Sequence, residues 1–316
     1  MSTVDIILVL VALAFAWSMG AHYTGACMGM PYATGSIGLI AALWTMAPLT
    51  LIGATFLSHK VLVNVGHNIL VSDRLSAPPA IAIITAAFLL TAVFTQRRIP
   101  TSTIQILVFC IIGTGAALDL AVRWDTVFRL AVLWIIAPLI AFALGYLFTK
   151  LFDAVPGFAN SGVAGPIGRA LVVVGAAASL TMGANDVSNA TAVFLTTGLS
   201  GPLLAGLIGG AGLALGVVTW GRPLLERVAF DIVKLDVPMA TAAQLVQALV
   251  VLTAVFFGYF TSMNQALIGA MAGTGFARGR ETIDKNVIFG ILRGWIVGPA
   301  TGVALGYAFG LLTRVV

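Results

Sequence analysis

Apolar residues run through this chain in long stretches, interrupted by short clusters of glycine, hydroxyl and amide side chains. The stretches are Val4–Trp17, Ile37–Leu57, Pro79–Gln96, Ile104–Leu120, Val127–Phe148, Ile167–Met182, Pro202–Val218, Met239–Phe260 and Val287–Leu312. A spanning helix needs about 20 such residues. Several stretches are short or broken, so the pattern predicts about 9 to 12 membrane-embedded segments. The first stretch lacks a basic leader, and Asp5 sits where Lys or Arg would be expected in a signal peptide. It reads as the first span.

The pattern also occurs twice. Thr101-Ser102-Thr103-Ile104-Gln105 runs on to Gly113-Thr114-Gly115, and Thr261-Ser262-Met263-Asn264-Gln265 runs on to Gly273-Thr274-Gly275. Trp134, Pro138 and Ala143-Leu144-Gly145-Tyr146 return as Trp295, Pro299 and Ala304-Leu305-Gly306-Tyr307. Gly20-Ala21 foreshadows Gly183-Ala184. Two halves follow, residues 1–150 and 165–316, joined by a turn-rich linker at 151–164 that contains Asp153–Gly162. A repeat of half the length in so apolar a chain points to a transporter of two pseudo-symmetric halves. An odd number of crossings per half would invert one half relative to the other.

Composition agrees with a bilayer setting. Of 316 residues, 60% are hydrophobic and 9% charged, against roughly a quarter charged in a soluble domain. Mean hydropathy is +1.07. The net charge of +5 comes from cations at segment ends: Lys60, Arg97, Arg98, Arg123, Lys150, Arg222, Arg278, Arg280 and Lys285. These read as snorkelling and orientation signals, with a minor pull on anions. Nothing suggests nucleic-acid binding. Cys27 and Cys110 read as small buried hydrophobes. His22, His59 and His67 are too scattered to form a metal set. The glycines of Gly206–Gly212 read as a helix-packing face. No Walker-type loop is present, which argues against ATP as the energy source.

The chemistry concentrates in three places. Gly183-Ala184-Asn185-Asp186-Val187-Ser188-Asn189-Ala190 lies between apolar runs, and Asp186 is the one carboxylate so flanked. A lone charge at membrane depth costs several kcal/mol unless it meets water, an ion or a partner. Asp186 with Asn185 and Asn189 forms a hard oxygen set suited to a small cation, Na+ among them, and Gly183 is expected to let the helix unwind there. Ser102, Thr103 and Ser262 read as N-caps whose paired helix starts could converge on one anion. Asn264, Gln105 and Gln265 stand beside them. His22-Tyr23 occupies the first-half counterpart of Asn185-Asp186, and His22 could accept a proton or donate to an anion. Trp134, Trp295, Tyr146 and Tyr307 read as anchors or packing residues.

These residues resemble a family. The run at 183–190 looks like the duplicated signature of the inorganic phosphate transporter family. Ser262 to Ala270 with Gly273–Gly279 is similar to that family's hydroxyl-rich hairpin and glycine-rich helix, and Trp295…Pro299 to its closing span. The resemblance covers nearly the whole chain. It implies that Asn185, Asp186, Asn189, Ser102, Thr103 and Ser262 hold a coupling cation and an oxyanion. Tyr23 stands where the family has Asp, Ala26 where it has Asn, Met263 and Asn264 where it has hydroxyls, and Gln105 and Gln265 where it has His. Gly20–Gly29 looks like the sulfate-permease branch, whose first motif also lacks the acid.

The expected fold is therefore an all-α integral membrane protein of two inverted repeats with broken helices and re-entrant hairpins. The expected function is secondary transport of a tetrahedral oxyanion in symport with Na+ or H+, in the cell membrane. Hydrogen phosphate can donate to a carboxylate and sulfate cannot, so Asp186 favours phosphate if it touches the anion, with sulfate as the alternative. Loss of the first-half acid predicts fewer coupled cations. No other cofactor is expected, and a homodimer is left open. An anion channel would lack gradient-coupled accumulation. A membrane phosphatase or transferase would need more embedded ionisable groups than Asp186, His22 and Arg293.

Overall fold

The computed structural model describes residues 2–67, 69–70, 75–155, 163, 165–232, 235–279 and 285–314. Side chains at 66, 67, 231, 232, 285–288, 290 and 291 lie outside the description. Most of the linker, Arg280 and the side chains of His67 and Lys285 therefore fall outside it.

Many of the helices begin where the sequence supplies a start signal. Helix α1 (Thr3–His22) opens on a capping box: Ser2 Oγ accepts from Asp5 N–H while the Asp5 carboxylate accepts from Ser2 N–H. This is the local reason for an acid at position 5. After a one-residue break at Tyr23 comes α2 (Thr24–Ala33), then α3 (Leu39–Phe56), α4 (His59–His67) and α5 (Ala77–Gln96). Helix α6 (Thr103–Ala117) is capped by Ser102, and α7 (Trp124–Ala154) closes the first half. The second half repeats the order. It runs α8 (Pro166–Thr191), α9 (Val193–Thr196), α10 (Pro202–Trp220) and α11 (Arg222–Arg227), which passes into a π-helical turn, Val228–Ile232. Then follow α12 (Val237–Phe256), α13 (Met263–Ala277) and α14 (Lys285–Thr313). Proline in the first turn starts α5, α8, α10, α11 and α12, where its missing N–H is not needed.

Among the described residues eight helical stretches are long and apolar enough to cross a bilayer, with α1 and α2 counting as one. Helices α6 and α13 are 15 residues each, about 22 Å, short of a hydrocarbon core of about 30 Å. They are the half-depth helices the sequence pattern leaves as broken stretches. Residues such as Ile40, Ile135 and Ile296 turn outward, as lipid-facing positions do. The chain is a multi-pass membrane protein.

The two halves interlock by exchange. Helix α1 packs on α10, and its counterpart α8 packs on α3; α6 packs on α14, and α13 on α7; α5 meets α14, and α12 meets α7. Glycines make these approaches close, and they do so in matched pairs. A Cβ on Gly20 would fall on the Leu213 carbonyl; one on Gly183 would fall on that of Thr50. Gly53 faces the Leu180 carbonyl, and Gly216 that of Trp17. In the closing helices Gly113 faces Val303 and Gly273 faces Phe142, while Gly145 faces Ala270 and Gly306 faces Cys110. The sequence offset of about 160 residues is thus a spatial pseudo-two-fold, built from backbone-to-backbone contacts that only glycine permits. Gly206, Gly209, Gly210 and Gly212 form the packing face expected of them, against Ala54, Val187, Leu51 and Ala16.

One expectation changes here. Helix α8 runs unbroken through Gly183 to Thr191, and the interruption falls at Ala192. Gly183 serves close packing on α3 rather than unwinding, so backbone groups stay in the helix and side chains must supply ligands. Trp134 is buried, in keeping with the packing alternative of its reading.

Candidate functional site

Near its C-terminal end α8 carries Asn185, Asp186 and Asn189 on successive turns, all fully buried. Asn185 Nδ2 donates to Asp186 Oδ2 at 3.1 Å, and Asn189 Nδ2 approaches Oδ1 at 3.4 Å. Asn189 Nδ2 also donates to Thr103 Oγ1 at 3.2 Å, and Thr103 shares a 2.8 Å hydrogen bond with the Tyr23 hydroxyl. Tyr23 in turn neighbours the Asp186 carboxylate. The break between α1 and α2 and the start of α6 therefore meet α8 at one carboxylate. Among the described residues no cation forms an ion pair with Asp186, and no group of three His, Cys, Asp or Glu assembles a metal site.

The two hairpins are fastened by matching clasps. Asn185 Oδ1 accepts from Thr261 N–H at 3.1 Å while its Nδ2 donates to the Thr261 carbonyl at 2.9 Å. In the other half His22 Nε2 accepts from Thr101 N–H at 3.1 Å, which leaves the proton on Nδ1, facing Thr95 Oγ1 at 2.9 Å. Both ring nitrogens of His22 are thus engaged in holding the α5–α6 connection. Ser102 Oγ accepts from Gln105 N–H at 3.4 Å and Ser262 Oγ from Gln265 N–H at 3.3 Å, so both serines act as N-caps. Asn264 Nδ2 donates to the Thr101 carbonyl at 2.7 Å, which brings the first turn of α13 against the start of α6. Several polar atoms here have no partner: Asn189 Oδ1, Thr101 Oγ1 and Thr261 Oγ1. They are acceptors and hydroxyls suited to a bound ion.

Not every expected residue joins this cluster. Gln105 and Gln265 line a separate cavity of about 700 Å3 with Trp134 and Trp295. The carboxamide oxygens and indole nitrogens of those four residues are unpartnered. Sequence reading overlooked other contributors. Tyr23 reads in sequence only as the replacement of an acid, yet its hydroxyl reaches Thr103. Gln244 Nε2 donates to the Ala26 carbonyl at 3.0 Å, and Gln247 Nε2 to that of Met263 at 3.3 Å. Two buried glutamines at i, i+3 inside an apolar span were the available signal.

Access to the cluster is lopsided. At the 163-residue offset Val228 corresponds to Val65, and Gly25 and Gly29 to Ser188 and Ala192. On one side Val228 sits hard against Gly25 and Gly29, with a Cβ on Gly29 falling 2.9 Å from Val228 Cγ1. On the other, Val65, Ser188 and Ala192 line a cavity of about 50 Å3 that reaches Asn189.

The chain is similar to known proteins in sequence and in fold. The sequence profile of the phosphate transporter family matches the chain twice, over residues 19–161 and 158–306. The sulfate permease CysP of Bacillus subtilis is 27% identical over 95% of this chain and 85% of its own length. A Mycobacterium tuberculosis protein named "Probable low-affinity inorganic phosphate transporter" is 26% identical, over 97% of this chain and 77% of that protein. A solved structure described as the sodium-dependent phosphate transporter superposes over the whole of both chains with a TM-score of 0.90 at 22% identity, a likeness of fold.

Proposed function

The chain belongs to the phosphate transporter family, and on that premise we propose that it is a secondary transporter of a tetrahedral inorganic oxyanion driven by Na+ or H+ symport. The single observation that carries this reading is Asp186, fully buried and facing amides and hydroxyls rather than a basic side chain. A buried carboxylate without a counter-charge costs several kcal/mol. A small cation shared by the Asp186 carboxylate, Asn189 Oδ1 and Thr103 Oγ1 offsets that cost when loaded, and a proton does the same.

The oxyanion's ligands follow from the hairpins. The N-termini of α6 and α13 face one another through the Asn264–Thr101 contact, and helix starts favour anions. Thr101 and Thr261 hydroxyls add donors. Phosphate is the favoured substrate because Asp186 and Asn189 adjoin Thr103: a monoprotonated phosphate can donate to the carboxylate, whereas sulfate meets it with lone pairs only. Sulfate is the second reading, favoured by Tyr23 in place of a first-half acid. With one acid in place of two, coupling uses fewer cations, and a ratio of three or more sodium ions per anion would contradict this. The lopsided access to Asn189 supports transport by alternate opening of the two sides. Both the family profile and the solved relative are described as transporters, which supports transport rather than enzymatic catalysis.

Asp186→Asn tests the reading in proteoliposomes. Coupled uptake is expected to vanish while detergent-solubilised protein remains monodisperse. Uptake at the wild-type rate would reduce the cluster to a packing device.

A further inference from the structure

Another cavity, lined by polar side chains, adjoins the α4 side of the cluster. It has a volume of about 320 Å3 and is lined by Asn64, Arg123, Thr126, Arg129 and Tyr259, with Phe257–Phe260 as its floor. The rim is continuous with the route to the buried cluster. Arg123 N–H donates to the Ile69 carbonyl at 2.9 Å, and Ile69 lines the cavity that reaches Asn189. Asn64 anchors the rim by donating to the Gly258 carbonyl at 2.9 Å. Its neighbour Val65 lines the inner cavity. From Phe260 the chain passes directly to Thr261, which Asn185 clasps.

We propose that this cavity is an anion-recruiting site, in which Arg123 and Arg129 hold a dianionic tetrahedral oxyanion before it passes Ile69 and Val65 toward Asn189. The inference rests on the transport reading given above. The guanidinium fork suits two oxyanion oxygens at once. Among the described residues Asp125 is the one carboxylate lining the cavity. It lies 3.8 Å from Arg129, and both side chains are more than two-thirds exposed, so the pair is weak and readily exchanged for an incoming anion. Among the described residues Arg123 has no ion pair. The arginines are also absent from the repeat. At the 161-residue offset the counterparts of Arg123 and Arg129 are Asp284 and Gly290. A fold requirement would be expected in both halves; a recruiting site is needed at one mouth.

The test is anion KM in proteoliposomes of fixed orientation, measured from each side, for wild type, Arg123→Gln/Arg129→Gln and the double Lys variant. The Gln pair is expected to raise KM about fivefold or more from the α4 side only, with maximal rate kept. The rise should shrink near 1 M salt, where the Debye length falls to about 3 Å, and the Lys pair should recover part of it. An unchanged KM, or an equal change from both sides, overturns the proposal and leaves the arginines as membrane anchors. If Asp186→Asn still abolishes uptake, the transport reading survives that failure.

Discussion

At the scale of single residues, the account turns on what surrounds Asp186. Tyr23→Phe removes the hydroxyl that meets Thr103 at 2.8 Å. One lost buried hydrogen bond of about 1 kcal/mol predicts a rise of roughly fivefold in anion KM, checked by uptake titration. Asn185→Ala strips both bonds from the Thr261 peptide and leaves a buried N–H and C=O unpaired. A loss of about 2–4 kcal/mol is expected, visible as a lower melting temperature in detergent. Asp186, Asn185 and Asn189 were legible in sequence because polar groups in apolar runs stand out. The clasp on Thr261 is not legible there, since it is made through that residue's backbone N–H and C=O. His22 reads in sequence as a group that could accept a proton or donate to an anion, whereas both its nitrogens are taken up by Thr95 and Thr101.

At the scale of helices, packing rather than propensity decides where glycine matters. Gly183→Ala would drive a methyl into the Thr50 carbonyl, with no flexible neighbour to yield. About 1–3 kcal/mol of destabilisation is expected, read from thermal unfolding in detergent. Gly20→Ala against Leu213 should cost a similar amount, because the contact is its pseudo-symmetric mate. Gly294→Ala is the control: it lies inside α14 and an added methyl would meet only Ile99 Cγ2 at 3.6 Å, an ordinary contact, so a neutral or slightly stabilising effect is expected. A single sequence could not separate a glycine that unwinds a helix from one that lets helices touch. Both break an apolar run in the same way, and only the partner's carbonyl distinguishes them.

At the scale of the whole molecule, the internal repeat made two pseudo-symmetric halves legible before any coordinates. It did not reveal that the halves exchange helices, because which faces meet depends on contacts between residues more than 100 apart. One tie across the polar margin adds to this interlock. Arg278, after α13, bonds both Asp153 at the end of α7 and the α12 cap Asp236, and its hydrogen bonding to Asp153 raises its pKa further above the ordinary value. The central claim is that these halves enclose one oxyanion site driven by a cation. It is tested most directly by labelled phosphate and sulfate uptake in proteoliposomes, with sodium and proton gradients imposed separately. Accumulation of one anion above its equilibrium level, driven by one of those gradients with fewer than three cations per anion, is the expected result. Flux that merely equilibrates regardless of either gradient would contradict it.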